Sequence, residues 1–356
     1  MKPWRLVVAG AAACGPATPH SVPPPAPAAR PELTPQSSGV TALLQAVSAP
    51  SARVVWVSGH AAAVLRSIDG GATWERLTVP GAAEDSLQFR DVQAFDAHTA
   101  YLLSAGPGAL SRIYKTTDGG HTWQRQFTNA DATAFYDCFA FWDAERGIAF
   151  SDAVAGRTMV RTTDDGGASW PLVPAASLPM AQKGEGAFAA SGTCVVTLEP
   201  AHAWIGTGAA DTARVLRTTD RGRTWSVSVV PVAGGATAGL AAVAFRDTLH
   251  GTALGGDVAD SKSRLANVAL TEDGGLTWRR GASPTFAGAV YGAASVPGRP
   301  GWLIAVGPRG LDYSMDDGRS WTGLDTLAYW SVGFGSSDVG WAVGPNGRIT
   351  RIVVPR

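Results

Sequence analysis

One pattern recurs six times along the chain and restricts its fold more than any other feature: S/T-x-D-x-G-x-S/T-W. It reads SIDGGATW from Ser67 to Trp74, TTDGGHTW from Thr116 to Trp123 and TDDGGASW from Thr163 to Trp170. It returns as TTDRGRTW from Thr218 to Trp225, TEDGGLTW from Thr271 to Trp278 and SMDDGRSW from Ser314 to Trp321. Successive tryptophans stand 49, 47, 55, 53 and 43 residues apart, and no copy contains a gap. The chemistry is that of a turn. The Asp side chain caps its own backbone, the Gly two residues later tolerates positive φ, and the Trp buries a large ring to anchor the outgoing strand. Each copy follows a β-rich stretch such as AAVLRS or RIYKT. Each is therefore read as a hairpin turn, with Asp69, Asp118, Asp165, Asp220, Asp273 and Asp316 in structural roles.

Upstream of each turn two further strands are legible, as in DVQAFDAHTAYLLSAG from Asp91 and DCFAFWDAERGIAFSD from Asp137. The last such stretch, SVGFGSSDVGWAVG from Ser331, is followed by GRITRIVV without the turn motif. Four strands per unit over seven units predict an all-β fold, a seven-bladed β-propeller of four-stranded antiparallel blades. The seventh unit lacks its outer strand. Residues 31–37 can supply it, which would close the ring and hide two sheet edges. The 43 Gly and 23 Pro in 356 residues agree with many turns and short strands.

The N-terminus reads as an export signal. Lys2 and Arg5 precede an apolar stretch from Leu6 to Ala13, too short to span a bilayer and suited to a signal-peptide core. It ends Ala11-Ala12-Ala13-Cys14-Gly15, which resembles a bacterial lipobox in which Cys14 would carry the lipid. Leu is usual where Ala11 stands, so ordinary secretion and a misplaced start are alternatives. Residues 15–37 hold eight prolines and read as an extended tether before a propeller at 38–356. Membrane contact is expected only through the anchor. The protein is expected to be exported: a periplasmic or cell-envelope lipoprotein, or a secreted protein, and a monomer.

The repeated turn is the Asp box of sialidases and related BNR-repeat propellers. The fuller unit, as in GWAVGPNGRITRI from Gly340 to Ile352, resembles the Ycf48/HCF136-like propellers, which are photosystem II assembly factors. The resemblance spans about residues 40–356 and is specific for fold. It implies either a non-catalytic assembly role or, more distantly, sialidase-type chemistry, since one fold hosts many functions.

In a propeller the innermost strands begin on the face opposite the turns, so their first residues converge on one channel mouth. These are Arg90, Asp91, Tyr136, Asp137, Tyr291, Tyr329 and Trp330. Loops between second and third strands add His60, Asp152, Asp257 and Arg309, and the glycine-rich segment from Gly184 brings Glu185 and Phe188. Rings, carboxylates and arginines at a concave mouth suit a polar ligand. They equally suit a wall in which Asp91 and Asp137 pair with Arg90 or cap backbone groups. Sialidase-type chemistry needs an Arg triad, a Tyr–Glu nucleophile and an Asp acid. Candidates are Tyr136, Tyr291 or Tyr329 with Glu185, and Asp91 or Asp137, but only Arg90 and Arg309 are available and the usual Arg-Ile-Pro motif is absent.

Other chemistry has no support: there is no HExxH, P-loop or GxGxxG after a strand. No cofactor and no metal are expected. With 29 basic and 29 acidic residues, nucleic acid is not an expected partner. Cys138 and Cys194 sit near the starts of neighbouring inner strands and either pair or remain buried thiols. The favoured reading is a binding propeller for a protein or peptide partner. The alternative is a glycan-binding or glycoside-hydrolase propeller using the same mouth.

Overall fold

The computed structural model describes residues 30–355 together with Met1, Pro3, Trp4 and Gly10. The proposed lipidation site, Cys14, lies outside the described residues, and the propeller begins at Pro31. Seven antiparallel sheets follow one another in chain order. Blade 1 is built from Leu44–Ser48, Val55–Gly59, Val64–Ser67 and Glu75–Arg76, innermost strand first, and blade 2 repeats the meander from Phe89–Ala94 to Gln124–Thr128. The innermost strands of the later blades are Tyr136–Phe141, Val195–Leu198, Ala238–Phe245, Gly292–Ser295 and Ser331–Phe334. Each innermost strand packs against those of its two neighbours, so the sheets form a ring around an axial channel.

Ring closure follows the predicted device. Glu32–Ser37 pairs antiparallel with Arg348–Val353, from Glu32 opposite Val353 to Ser37 opposite Arg348, as the outer strand of blade 7. These residues fell at the end of the stretch assigned to the tether, so the folded part begins earlier than residue 38. Blade 3 departs from the four-strand pattern: it has Tyr136–Phe141, Gly147–Val154 and Arg157–Thr163 only. Its outer edge is covered by a segment making isolated bridges, Arg161 with Leu172 and Arg157 with Met180. Pro171, Pro174 and Pro179 interrupt that segment, and proline cannot donate to a ladder.

Among the described residues the core divides into seven apolar clusters, one between each pair of adjacent blades. Trp204, Leu240 and Ala269 lie between blades 4 and 5, for example, and Leu44, Val57 and Trp341 join blade 7 to blade 1. Strand alternation explains this: each face of a blade must meet a neighbour, so both faces are apolar.

The six turns repeat one hydrogen-bond pattern. In the first, the Ser67 hydroxyl donates to Asp69 Oδ1 at 2.8 Å and accepts from Gly71 N–H at 2.8 Å. Asp69 also accepts from Thr73 N–H at 2.9 Å and from the Thr73 hydroxyl at 2.6 Å. Gly71 has φ +84°, where a side chain would be strained. The same bonds recur at Asp118, Asp165, Asp220, Asp273 and Asp316. The Thr73 bonds hold the Asp69 carboxyl at about 2 against an ordinary 3.8, and Ser169 likewise lowers Asp165.

Two outcomes follow for stability. Carboxyls with lowered folded pKa contribute stability that is fully present above about pH 4 and lost as pH falls toward 2. Urea midpoints measured from pH 5 to pH 2 should therefore fall steeply below pH 4; a flat profile would contradict the role of the turns. The buried Thr218 hydroxyl bonds both Asp220 Oδ1, at 2.8 Å, and Gly222 N–H, at 3.0 Å. Thr218→Val should cost about 1–3 kcal/mol in urea denaturation, because those partners lose their hydrogen bond.

Candidate functional site

Four innermost strands begin with a break in register. The pairing slips between Leu44 and Ala46, Phe89 and Asp91, Tyr136 and Cys138, and Leu240 and Ala242. A bulge leaves one residue unpaired and re-aims its side chain. Those residues are Gln45, Arg90, Asp137 and Ala241. In blades 6 and 7 the residue before the strand holds the equivalent place. Tyr291 N–H donates to Val306 O at 2.8 Å, and Trp330 N–H to Val343 O at 2.7 Å. Gln45, Arg90, Asp137, Tyr291 and Trp330 converge on a cavity of about 350 Å³, with Phe135, Asp152, Phe188 and Val258 completing its wall.

The cavity has two halves. Blades 1 to 3 contribute Gln45, Arg90, Asp137 and Asp152; blades 5 to 7 contribute Val258, Tyr291 and Trp330. The Tyr291 and Trp330 rings lie 4.9 Å apart between centroids. Arg90 gives two hydrogen bonds to Gln88 Oε1, at 3.1 and 2.6 Å, and stacks 5.9 Å over the Phe135 ring. The acid whose charge acts on it is Asp137, which is 1% exposed. Burial, then the neighbouring Asp152 charge, pushes the Asp137 carboxyl well above the ordinary carboxyl range, with Arg90 opposing. Burial raises the Asp152 carboxyl as well, and its side chain lies within hydrogen-bond reach of Asp137. Asp152 accepts a further bond from Ala187 N–H at 3.2 Å. The result is a guanidinium at the mouth beside two carboxyls whose pKa values burial raises.

Of the mouth residues expected from sequence, Arg90, Asp137, Asp152, Phe188, Tyr291 and Trp330 line the cavity. Others lie elsewhere. Asp91 is buried below the mouth, accepting from Phe139 N–H at 2.9 Å. The fully buried Tyr136 hydroxyl accepts from Arg161 Nε at 2.5 Å, and the Tyr329 hydroxyl donates to Asp325 at 2.7 Å. Glu185 is buried against Arg214 and accepts from the Thr207 hydroxyl at 2.6 Å. Asp257 accepts from the Thr237 hydroxyl across the blade and from Ala259 N–H in its own loop, and Arg309 is exposed beside Ser261. His60 sits close enough to Arg90 for its pKa to be lowered, by burial first and then by that charge. The Tyr–Glu–Asp set of a sialidase is not assembled: Glu185, Tyr136 and Tyr329 are each spent on internal partners. Sequence reasoning missed Gln45 and Phe135. Superposing the strand starts would have found Gln45, since Leu44-Gln45-Ala46 aligns with Phe89-Arg90-Asp91 and Tyr136-Asp137-Cys138.

Cys138 and Cys194 form a disulfide with their Cα atoms 6.2 Å apart, joining the inner strand of blade 3 to the start of blade 4. Among the described residues no three metal-ligating side chains converge.

A carboxyl with a raised folded pKa contributes stability that is fully present below its unfolded pKa and lost as pH rises toward the folded one. Asp137→Asn removes that loss. The variant should gain on wild type by about 1.4 kcal/mol per pH unit as pH rises above 4, until the raised pKa is reached. Parallel stability curves would show Asp137 to be ordinarily ionised.

A scan against protein-family models finds no match, and no curated protein matches in sequence. Solved structures do match. A structure described as YCF48 bound to D1 peptide is 16% identical with a TM-score of 0.64, covering 93% of this chain and 99% of its own. YCF48 from Cyanidioschyzon merolae is 16% identical with a TM-score of 0.62, over 90% and 98%. A GH74 enzyme from Niastella koreensis is 15% identical with a TM-score of 0.64, but the match spans only 53% of that longer chain. At such identities the likeness is one of fold, and the fold is the seven-bladed propeller that the YCF48 structures share.

Proposed function

We propose that this chain is a non-catalytic binding propeller that takes a peptide segment of a protein partner at the mouth, in an assembly or scaffold role. The observation that carries the reading is Arg90. Its guanidinium lines the mouth cavity, its hydrogen bonds among the described residues go to a neutral amide, and burial pushes the neighbouring Asp137 carboxyl well above the ordinary range. The mouth therefore sets a guanidinium, which forms no salt bridge among the described residues, beside Asp152 and the Tyr291–Trp330 wall; this suits a peptide with an acidic group beside an apolar residue. A similar propeller has been solved with a peptide bound, which supports the reading.

The glycan reading rests on the GH74 likeness and on the carboxyl pair beside aromatic rings. A retaining glycosidase separates its carboxyls by about 5–5.5 Å and an inverting one by more. Asp137 and Asp152 are instead hydrogen-bonded to each other, which favours binding over hydrolysis. We also propose that the chain is exported and works as a monomer, held at the cell envelope through Cys14 or secreted. The Lys2/Arg5 start, the apolar stretch to Ala13 and a disulfide suited to an oxidising compartment support that reading.

Fluorescence anisotropy with labelled acidic, neutral and basic peptides tests the binding reading. Acidic peptides should bind best, and Arg90→Gln should weaken them at least about tenfold, or about 1.4 kcal/mol. Equal binding by Arg90→Gln, or binding of none of the peptides, would reject it. Turnover of fluorogenic glycosides abolished by Asp152→Asn would establish the glycosidase instead.

A further inference from the structure

Residues 184–193 connect blade 3 to blade 4, yet they touch all seven blades. Gln45 of blade 1 donates to the carbonyl of Ala190 at 3.3 Å. Gly192 packs so closely on Asp91 of blade 2 that any Cβ there would collide with the carboxylate. Asp152 of blade 3 accepts from Ala187 N–H, and Gly186 bridges to Gly208 of blade 4. Val243 N–H of blade 5 donates to Thr193 O at 2.9 Å. The Ser191 hydroxyl donates to Tyr291 O at 2.6 Å in blade 6, and its carbonyl accepts from the Ser331 hydroxyl at 2.9 Å in blade 7.

The segment thus lies across the axis as a plug. Ala187 to Ala190 line the mouth cavity, whereas Ser191 to Thr193 line a second chamber of about 330 Å³ that contains Asp91. The channel is two chambers with one shared partition, and the upper surface of that partition is the floor of the mouth.

What holds the partition is unusual for a propeller element. Apart from the Gly186–Gly208 bridge it has no ladder partner. Besides the scattered single hydrogen bonds above, it is fixed firmly at both ends. At the upper end Glu185 is 3% exposed and ion-paired with Arg214, and it also accepts from Gln182 N–H at 2.8 Å. At the lower end Cys194 is bonded to Cys138, the residue after Asp137, and both are wholly buried. Between these pins run eight residues, 186–193, three of them alanine and two glycine. Such a stretch buries little apolar surface to offset its ordering entropy, so its order depends on its fixed ends.

We propose that the Cys138–Cys194 disulfide builds the floor of the mouth, so that binding competence is acquired only when these two thiols are oxidised. This inference rests on the binding reading of the mouth. Cys138, Cys194, Glu185 and Arg214 are positioning residues: they act through the plug. The step is a thiol–disulfide exchange. The two cysteines lose two electrons and two protons and form one S–S bond, while a disulfide-bearing oxidant such as oxidised glutathione is reduced to two thiols. Because both sulfurs are buried in the finished fold, the bond forms as the plug seats.

Hydrogen-exchange mass spectrometry on the full chain tests the plug independently of any ligand. Amides of 186–193 should exchange at least tenfold faster in Cys138→Ser/Cys194→Ser than in the oxidised protein. The inner strands of blades 1, 5, 6 and 7 should keep their protection. Unchanged exchange at 186–193, or a rise shared by every inner strand, would overturn the proposal. Should the double variant fail to fold, Glu185→Gln with the disulfide intact provides the second test: faster exchange confined to 184–188 supports the pinned plug, and none rejects it. In parallel, a labelled acidic peptide should bind at least tenfold more weakly to the reduced protein and recover when oxidised glutathione is added. Equal affinity in both states overturns the proposal. If the oxidised protein binds no peptide, the binding reading fails, while the exchange result still decides whether the disulfide orders the plug.

Discussion

The pairing of Glu32–Ser37 with Arg348–Val353 is the contact on which the rest of the molecule depends. It is the one place where residues from opposite ends of the folded chain lie side by side in a ladder, and it turns a row of seven sheets into a ring. Side-chain bonds lock the same junction. Trp341 Nε1 donates to Gln36 Oε1 at 3.1 Å, and Gln36 Nε2 donates to Gly70 O at 3.1 Å, tying blade 7 to the first turn of blade 1. The mouth draws its lining from opposite sides of the ring, from Gln45 and Arg90 to Tyr291 and Trp330. Only a closed ring makes such distant residues neighbours.

The two faces of the ring obey different rules. On one, six turns repeat the same bonds around six aspartates, and their uniformity is that of a structural device. On the other, the equivalent position at the start of six of the seven inner strands carries Gln45, Arg90, Asp137, Ala241, Tyr291 and Trp330, six residues of six types. The bulges explain how this diversity is tolerated. A residue outside the ladder is free of the pairing and packing demands met by Leu44, Phe89 and Tyr136 beside it. Chemistry at the mouth can therefore vary without cost to the blades.

The same contrast explains what was legible in the sequence. The turns announce themselves because their hydrogen bonds run between residues two and four apart, so motif and structure coincide. Blade count, strand order and the closing strand follow. The mouth was legible to within one residue: the inner-strand starts were located, but a bulge decides which of two neighbours faces the channel. Arg90 faces it and Asp91 does not; Asp137 and Trp330 face it, while Tyr136 and Tyr329 are buried between blades. Glu185 was misplaced for a different reason. Its partner Arg214 lies 29 residues away across a blade, and no local pattern signals a pairing of that range. The plug reads in the sequence only as a glycine-rich loop over the mouth, because the contacts that place it are spread over all seven blades and lie far apart in the chain.

The most direct measurement is a crystal structure of the oxidised full chain with an acidic peptide bound. The account predicts peptide density resting on Ala187–Ala190, an acidic group within hydrogen-bond reach of Arg90, an apolar side chain against Tyr291 and Trp330, and an intact partition beneath. Peptide threaded into the lower chamber beside Asp91, or seated on the face of the six turns, would contradict it.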